Sequence, residues 1–269
     1  MTNVNREYRN FALEVQFKND DFTEHTKASH RKWILNQVLN ECAHELHHLT
    51  KASKKFVAGS KRQEIKEEWS QSPAQYDSSQ LIIEGQQVMQ DWERPVMKAM
   101  ADIVAETHGD ILEIGFGMGI SATYIQERGV KSHTIVEFNN EVIEAFKAWK
   151  EQYPDRDIKL IQGKWPDVED QVQMYDGIFF DTYPTSEEEL KSLLIASCIK
   201  DFYVGATHLK EGGIFTFYTG EIDSLSRFTQ RFLLKIFSSL TISTVDSLCP
   251  PEDCHYYIAD SMVVVKAIK

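Results

Sequence analysis

Three glycines, at 115, 117 and 119, lie in Asp110-Ile-Leu-Glu-Ile-Gly-Phe-Gly-Met-Gly119, where an apolar strand-like run passes straight into a turn and then a helical pattern. Glycine lets a backbone turn sharply and approach a ligand where a Cβ would collide. Twenty-two residues beyond Gly115 the run His-Thr-Ile-Val-Glu137 ends in an acid. A carboxylate at such a strand tip can accept both hydroxyls of a ribose. Together these features predict a site for an adenosine-bearing ligand. A dinucleotide asks for G-x-G-x-x-G, whose third glycine would fall at 120, where this chain has Ile. The G-x-G-x-G spacing fits the methionine and ribose portion of S-adenosylmethionine, which is the expected cofactor.

A second chemical spacing, His44-Glu-Leu-His-His48, reads as H-E-x-x-H. On a helix it would set two imidazoles one turn apart, as zinc requires. However, the apolar stripe of a helix over 29–52 is Trp33, Ile34, Val38, Cys42, Leu46 and Leu49, and His44 and His48 fall away from it. No third ligand motif follows, because Glu64, Glu67 and Glu68 form a charged run. No metal is therefore expected. Cys42, Cys198, Cys249 and Cys254 are too scattered for a CxxC metal pair or a disulfide framework.

The elements that must position the glycine turn come from hydrophobic periodicity. Residues 1–70 are polar, hold one glycine (Gly59) and no proline, and carry the 29–52 amphipathic helix followed by a charged connector over 53–72. From Pro73 the texture becomes α/β. A helix is predicted over roughly 80–106, with Ile82, Ile83, Val88, Met89, Trp92, Val96 and Met97 as its apolar positions. Strand-like runs follow at 111–114, 134–138, 158–162, 177–180 and 213–217, with helices near 119–128, 140–152 and 186–208. Strands alternating with helices imply crossover units and a parallel sheet. The runs 240–245 and 262–267 have no helix between them and are expected to close the sheet as an antiparallel pair. The fold class is α/β, a doubly wound, mostly parallel sheet.

Composition narrows the partners. The 269 residues carry 29 Lys+Arg against 41 Asp+Glu, a net charge of −12. So acidic a body repels phosphate backbones, which argues against a nucleic-acid partner, although 51–66 hold six basic residues. The N-terminus lacks the apolar core of a signal peptide and no apolar run approaches membrane-spanning length. The expectation is a cytoplasmic protein with no membrane partner and a small-molecule substrate. Nothing in the sequence speaks against a homodimer.

From Trp69 onward the chain resembles guanidinoacetate N-methyltransferase, a small-molecule class I methyltransferase. The stretches that carry the resemblance are Trp69 with Pro73-Ala-Gln-Tyr-Asp77, Val88-Met-Gln-Asp-Trp-Glu-Arg-Pro95, Leu112-Glu-Ile-Gly-Phe-Gly-Met118, Val136-Glu-Phe-Asn139, Gly163-Lys-Trp165, Asp176-Gly-Ile-Phe-Phe-Asp-Thr-Tyr-Pro184 and Pro250-Pro-Glu-Asp-Cys-His-Tyr-Tyr257. The resemblance implies a Rossmann-like sheet of seven strands with helices on both faces. Residues 69–269 would be the catalytic domain and residues 1–68 a helical lid. It implies that Gly115, Phe116, Gly117, Met118, Gly119, Ile120 and Ser121 wrap the methionine moiety. Glu137, with Phe138 and Asn139 beside it, would hold the ribose. Trp165 would flank the adenine, and Trp69, Met89 and Met97 would line the sulfonium region. It assigns Glu93 and Asp181 to the acceptor, with Asp181 also facing the cofactor, and Tyr76 and Tyr183 to the same pocket.

The chemistry of a guanidino acceptor explains the two acids. A guanidinium keeps its proton at neutral pH and its nitrogens are poor nucleophiles. Two carboxylates can grip the planar cation through paired N–H bonds, and one can take the proton as methylation proceeds. Where the family has an Asn-Leu-Thr turn at the acceptor's carboxylate end, this chain has Thr219-Gly220-Glu221. An acid there would repel a carboxylate, so Gly220 and Glu221 point to an acceptor of different length or charge. That change and the long first segment leave two alternatives. In one, S-adenosylmethionine is the sole substrate and is cyclised to azetidine-2-carboxylate with release of methylthioadenosine, with Tyr76, Tyr183 or Tyr218 facing the sulfonium. In the other, the protein binds S-adenosylmethionine without turnover.

Overall fold

The computed structural model describes residues 69–183 and 207–269. The expected helices over 29–52 and 186–208, the lid over 1–68, the H-E-x-x-H run and most of the 53–72 connector lie outside the described residues.

The described chain opens with a three-stranded antiparallel meander, β1 (Ala74–Tyr76), β2 (Gln80–Ile83) and β3 (Gln86–Gln90). The single helix expected over 80–106 is thus corrected to two strands and a shorter helix. Leu81 and Ile83 alternate inward along β2, a period of two that a strand buries and a helix cannot. Glu84 and Gly85 both take positive φ, 51° and 71°, as a two-residue hairpin turn of matching twist requires. Helix α1 (Arg94–Val104) starts only where Pro95 sits in its first turn, a position at which the missing N–H costs nothing.

Then strands and helices alternate: β4 (Asp110–Ile114), α2 (Ile120–Glu127), β5 (Ser132–Glu137), α3 (Asn140–Lys150), β6 (Ile158–Gln162), β7 (Tyr175–Phe180), β8 (Leu209–Phe217), α4 (Arg227–Leu233), β9 (Ser239–Asp246) and β10 (Ser261–Ile268). The main sheet has the order β6-β5-β4-β7-β8-β10-β9. The first five strands are parallel, and β10 runs antiparallel between β8 and β9. This is the seven-stranded, mostly parallel, Rossmann-like arrangement expected, and β9 and β10 form the antiparallel pair. Side chains alternate between two cores. Ile111, Phe179, Met262 and Val264 face the cluster built with α1, α2 and α3, while Leu112, Ile178, Phe215 and Val263 face the one containing Leu233 of α4. Among the described residues no helix is long and apolar enough to cross a membrane.

Chain order reverses between β4 and β7, and the crevice outside their carboxyl ends is where an open α/β sheet binds ligands. The meander is tied to this edge by Asn139. Its Oδ1 accepts from the N–H groups of Glu141 and Val142, capping α3 at 3.0 and 3.2 Å. Its Nδ2 donates to the carbonyls of Trp69 and Ser72, both at 2.8 Å. Glu141 adds a second tie, accepting from Ala74 N–H at 2.7 Å. Asn139→Ala removes a cap and orphans two carbonyl partners, so it is expected to cost about 3 kcal/mol. The midpoint of denaturant unfolding measures this, and an unchanged midpoint would refute the tie.

Candidate active site

The turn after β4 is shaped by what its glycines exclude. Gly115 has φ +92°, and a Cβ there would lie 1.9 Å from the carbonyl oxygen of Asp181. The two segments are locked by Asp181 N–H donating to Ile114 O at 3.0 Å. A Cβ on Gly117 would meet Met89 Sδ at 3.0 Å, the sulfur that accepts from Met118 N–H at 3.4 Å. Tyr76 Oη donates to Gly117 O at 3.1 Å. The loop is therefore a bare backbone cradle with the meander against its flank.

Beside it, Glu137 ends β5 with its carboxylate held by three backbone N–H groups. Phe116 donates to Oε2 at 3.0 Å, and Phe138 and Asn139 donate to Oε1 at 2.6 and 2.9 Å. Glu137 stays part-exposed, so the acid is oriented before a ligand arrives and keeps acceptor capacity outward. A side-chain-free loop next to a preoriented acid fits the methionine and ribose of S-adenosylmethionine.

The other expected cofactor residues divide by what their side chains do. Trp69 stacks on Tyr183, with ring centroids 5.4 Å apart and planes 7° from parallel, and Tyr183 Oη donates to Gln86 Oε1 at 3.4 Å. Trp165 is part-buried and edge-on to His208. Met118, Phe138 and Tyr76 keep exposed surface. Five of the side chains named for the cofactor are directed into the interior. Met97 and Ile120 are enclosed in the hydrophobic cluster. Phe116 packs edge-on against Phe146 and Trp149. Ser121 donates to buried Glu113, itself 2.9 Å from buried His133. Asn139 spends all its bonds on the ties described above. Of Phe116, Ile120 and Ser121, the backbone is what the turn presents.

The acceptor carboxylates come from two elements. Glu93, 3% exposed, closes the single turn before α1. Its Oε1 accepts from Gln90 N–H at 2.9 Å and from Tyr256 Oη at 2.5 Å. Burial lifts its pKa to about 7 against the opposing pull of those donors and of nearby Tyr218. Asp181, just past β7 and part-exposed, is held well above the usual carboxylate range by burial and then by the charges of Glu93 and Glu113. Two acids of raised proton affinity, one buried and the other under its charge, can together accommodate a cation. Among the described residues no group of three or more His, Cys, Asp or Glu is placed to hold a metal ion.

Tyr256, whose hydroxyl holds Glu93, had no role in the residue-by-residue reading. It is carried by the loop before β10, which Gln87 straps to the meander through Asp253 O at 3.2 Å and His255 N–H at 2.8 Å. Trp92 stacks on the neighbouring Tyr257 at 5.3 Å. The signal was the run Pro250–Tyr257, recognisable as a block without any role attached. Glu221 brings a correction. Its carboxylate accepts from Ser226 N–H and from Thr229 Oγ1 at the start of α4, and its backbone N–H goes to Thr219 Oγ1. The acid serves that turn, so a repulsive wall at the acceptor's far end no longer follows. Neighbouring Gly220 is exposed.

A family model described as guanidinoacetate N-methyltransferase matches residues 56–269. Protein arginine N-methyltransferase 2 of Candida glabrata is 33% identical over 158 residues, covering 54% of this chain and 36% of that protein. Its namesake in Saccharomyces cerevisiae is 30% identical over 145 residues, covering 49% of this chain and 32% of that protein. The chain thus spans about a third of the length of the curated relatives it matches. Among solved structures, spermidine synthase from Thermotoga maritima aligns at a TM-score of 0.48 and 15% identity, covering 73% of this chain and 72% of that one.

Glu93 makes a stability prediction with a definite sign. An unfolded glutamate releases its proton near 4.5, whereas the folded one holds it to about 7. The native state therefore loses stability as pH rises through that window and carries the full cost above it. Glu93→Gln keeps the acceptor for Tyr256 and Gln90 and removes the charge. The variant is expected to be more stable than the parent by about 3 kcal/mol at pH 8, a gain shrinking below about 1 kcal/mol by pH 5. Thermal melts at the two pH values test this, and a gain independent of pH would contradict it.

Proposed function

The chain belongs to the guanidinoacetate N-methyltransferase family of S-adenosylmethionine-dependent enzymes, and we propose that it methylates a nitrogen of a small guanidino compound. The observation that carries this reading is the pairing of Glu93 with Asp181, two acids of raised proton affinity at the carboxyl edge of β4 and β7. An empty pair of this kind is costly, and a permanent cation offsets the cost. A guanidinium is such a cation, and its planar N–H groups match carboxylates.

When bound, S-adenosylmethionine supplies an electrophilic methyl on a sulfonium. Gly115, Gly117 and Met118 offer backbone to its methionine portion, Glu137 offers acceptor capacity to its ribose, and the Trp69–Tyr183 stack offers an aromatic face. Glu93, fixed by Tyr256 and Gln90, holds and orients the acceptor cation. Asp181 binds the opposite N–H groups, and its carboxylate takes the proton that the attacking nitrogen must lose. Its raised proton affinity suits a general base better than an ordinary aspartate would.

A second reading is favoured by the relatives named protein arginine N-methyltransferase 2: the guanidinium could belong to an arginine of a protein. The same two acids would grip it. The cyclisation reading, by contrast, loses one of its two supports, since Glu221 is engaged at the start of α4.

Product analysis by mass separates these readings. The full chain is incubated with S-adenosylmethionine alone, with small guanidino acids, with amines and with an arginine-containing peptide. S-adenosylhomocysteine is expected only with a guanidino acid. Turnover confined to the peptide would favour the second reading, and methylthioadenosine formed without any acceptor would overturn both. Cation binding must also displace the proton that Glu93 holds below about pH 7. The acceptor KM is therefore expected to rise up to about tenfold per pH unit below 7, and Glu93→Gln to lower kcat/KM at least about 100-fold. A KM flat from pH 6 to 8 would remove Glu93 from acceptor binding.

A further inference from the structure

Tyr218 stands just beyond β8, its N–H donating to Phe180 O at 3.0 Å, which sets it across from Asp181. Its ring packs against the core shared by α1 and the meander. Its hydroxyl oxygen is buried and accepts no hydrogen bond at ordinary distance, while its O–H acts toward the Glu93 carboxyl as a long donor that draws that acid's pKa down. Burial above all, and then the charges of Glu93 and Asp181 and the phenols Tyr256 and Tyr257, hold its pKa well above the ordinary phenol value. Buried hydroxyls are ordinarily paired, and an oxygen that accepts nothing calls for an explanation. Here that atom sits among the groups that would receive the acceptor.

Counting donors shows what would complete it. A monosubstituted guanidinium has five N–H groups in one plane. Two carboxylates in fork geometry take at most four of them. Glu93 takes fewer than its share, because Oε1 is already committed to Tyr256 and Gln90. We infer that Tyr218 is a specificity-determining residue whose hydroxyl accepts the remaining N–H of the guanidinium while donating its own proton toward Glu93. The inference rests on the guanidino reading of the site and extends it: the pocket distinguishes a guanidinium from an amidinium, which has one N–H fewer, and from an ammonium. A buried acceptor left unpaired by the wrong ligand is a stronger discriminator than added apolar contact.

The test uses two cations that differ by a single NH group, methylguanidine and acetamidine. Each is titrated calorimetrically into the full chain saturated with S-adenosylhomocysteine, before and after Tyr218→Phe. The parent is expected to prefer methylguanidine by about tenfold or more, the loss of one buried hydrogen bond. Tyr218→Phe should cut that ratio below about threefold by weakening methylguanidine alone, and should melt within a few degrees of the parent, because the deleted oxygen accepts no hydrogen bond in the fold. A ratio that survives in Tyr218→Phe, a parent with no preference, or a variant that melts well below the parent would each overturn the role of Tyr218 while leaving the guanidino reading intact. A parent that binds neither cation would overturn that reading and this inference together.

Discussion

The close passage of the turn after β4 beneath the carbonyl of Asp181 is the constraint on which the site depends. With no side chain on Gly115, β4 and β7 can pair up to their ends, and Asp181 N–H can reach Ile114 O. That contact fixes the glycine turn and Asp181 relative to one another. A Cβ at Gly115 would have to displace the Asp181 carbonyl, so the turn and the acid are a single unit. The topological reversal between β4 and β7 then leaves room above this unit for a ligand.

Everything else at the crevice serves to bring a second acid to the first. Glu93 reaches Asp181's neighbourhood because the meander leads into α1 and because Tyr256 descends from the loop before β10. Desolvating a carboxyl beside another negative charge is unfavourable, and the protein moderates the cost with the Gln90 N–H and the Tyr256 hydroxyl. On the proposed reading, a permanent cation placed between the two acids offsets this desolvation.

Several expectations changed for a common reason. Met97, Phe116, Ile120, Ser121 and Asn139 lie in or next to the blocks that carry the resemblance, yet their side chains are used in core packing, at the Glu113–His133 pair and in the tie to Trp69 and Ser72. Motif membership marks a neighbourhood, and which way a side chain points within it depends on packing. Glu221 is the same lesson in reverse, since an acid that looks aimed at a substrate caps the start of α4. The residues 80–90 read as helix because short apolar runs fit either period, and the Glu84-Gly85 turn decided for strands.

The chain's own sequence determined the α/β class, the strand-turn-helix with its three glycines and the acid that ends β5 at 137, because each is a local pattern of periodicity, glycine spacing or an acid at a strand end. Glu93 and Asp181, by contrast, were marked only as members of blocks that resemble a family. The tertiary structure alone decided that Tyr256 holds Glu93, that Tyr218 brings a second phenol beside it, and that the charge of Glu93 raises the proton affinity of Asp181. These are meetings of segments from 88 to 163 residues apart. Their energies depend on distance and on exclusion of water, which no run of neighbouring residues encodes.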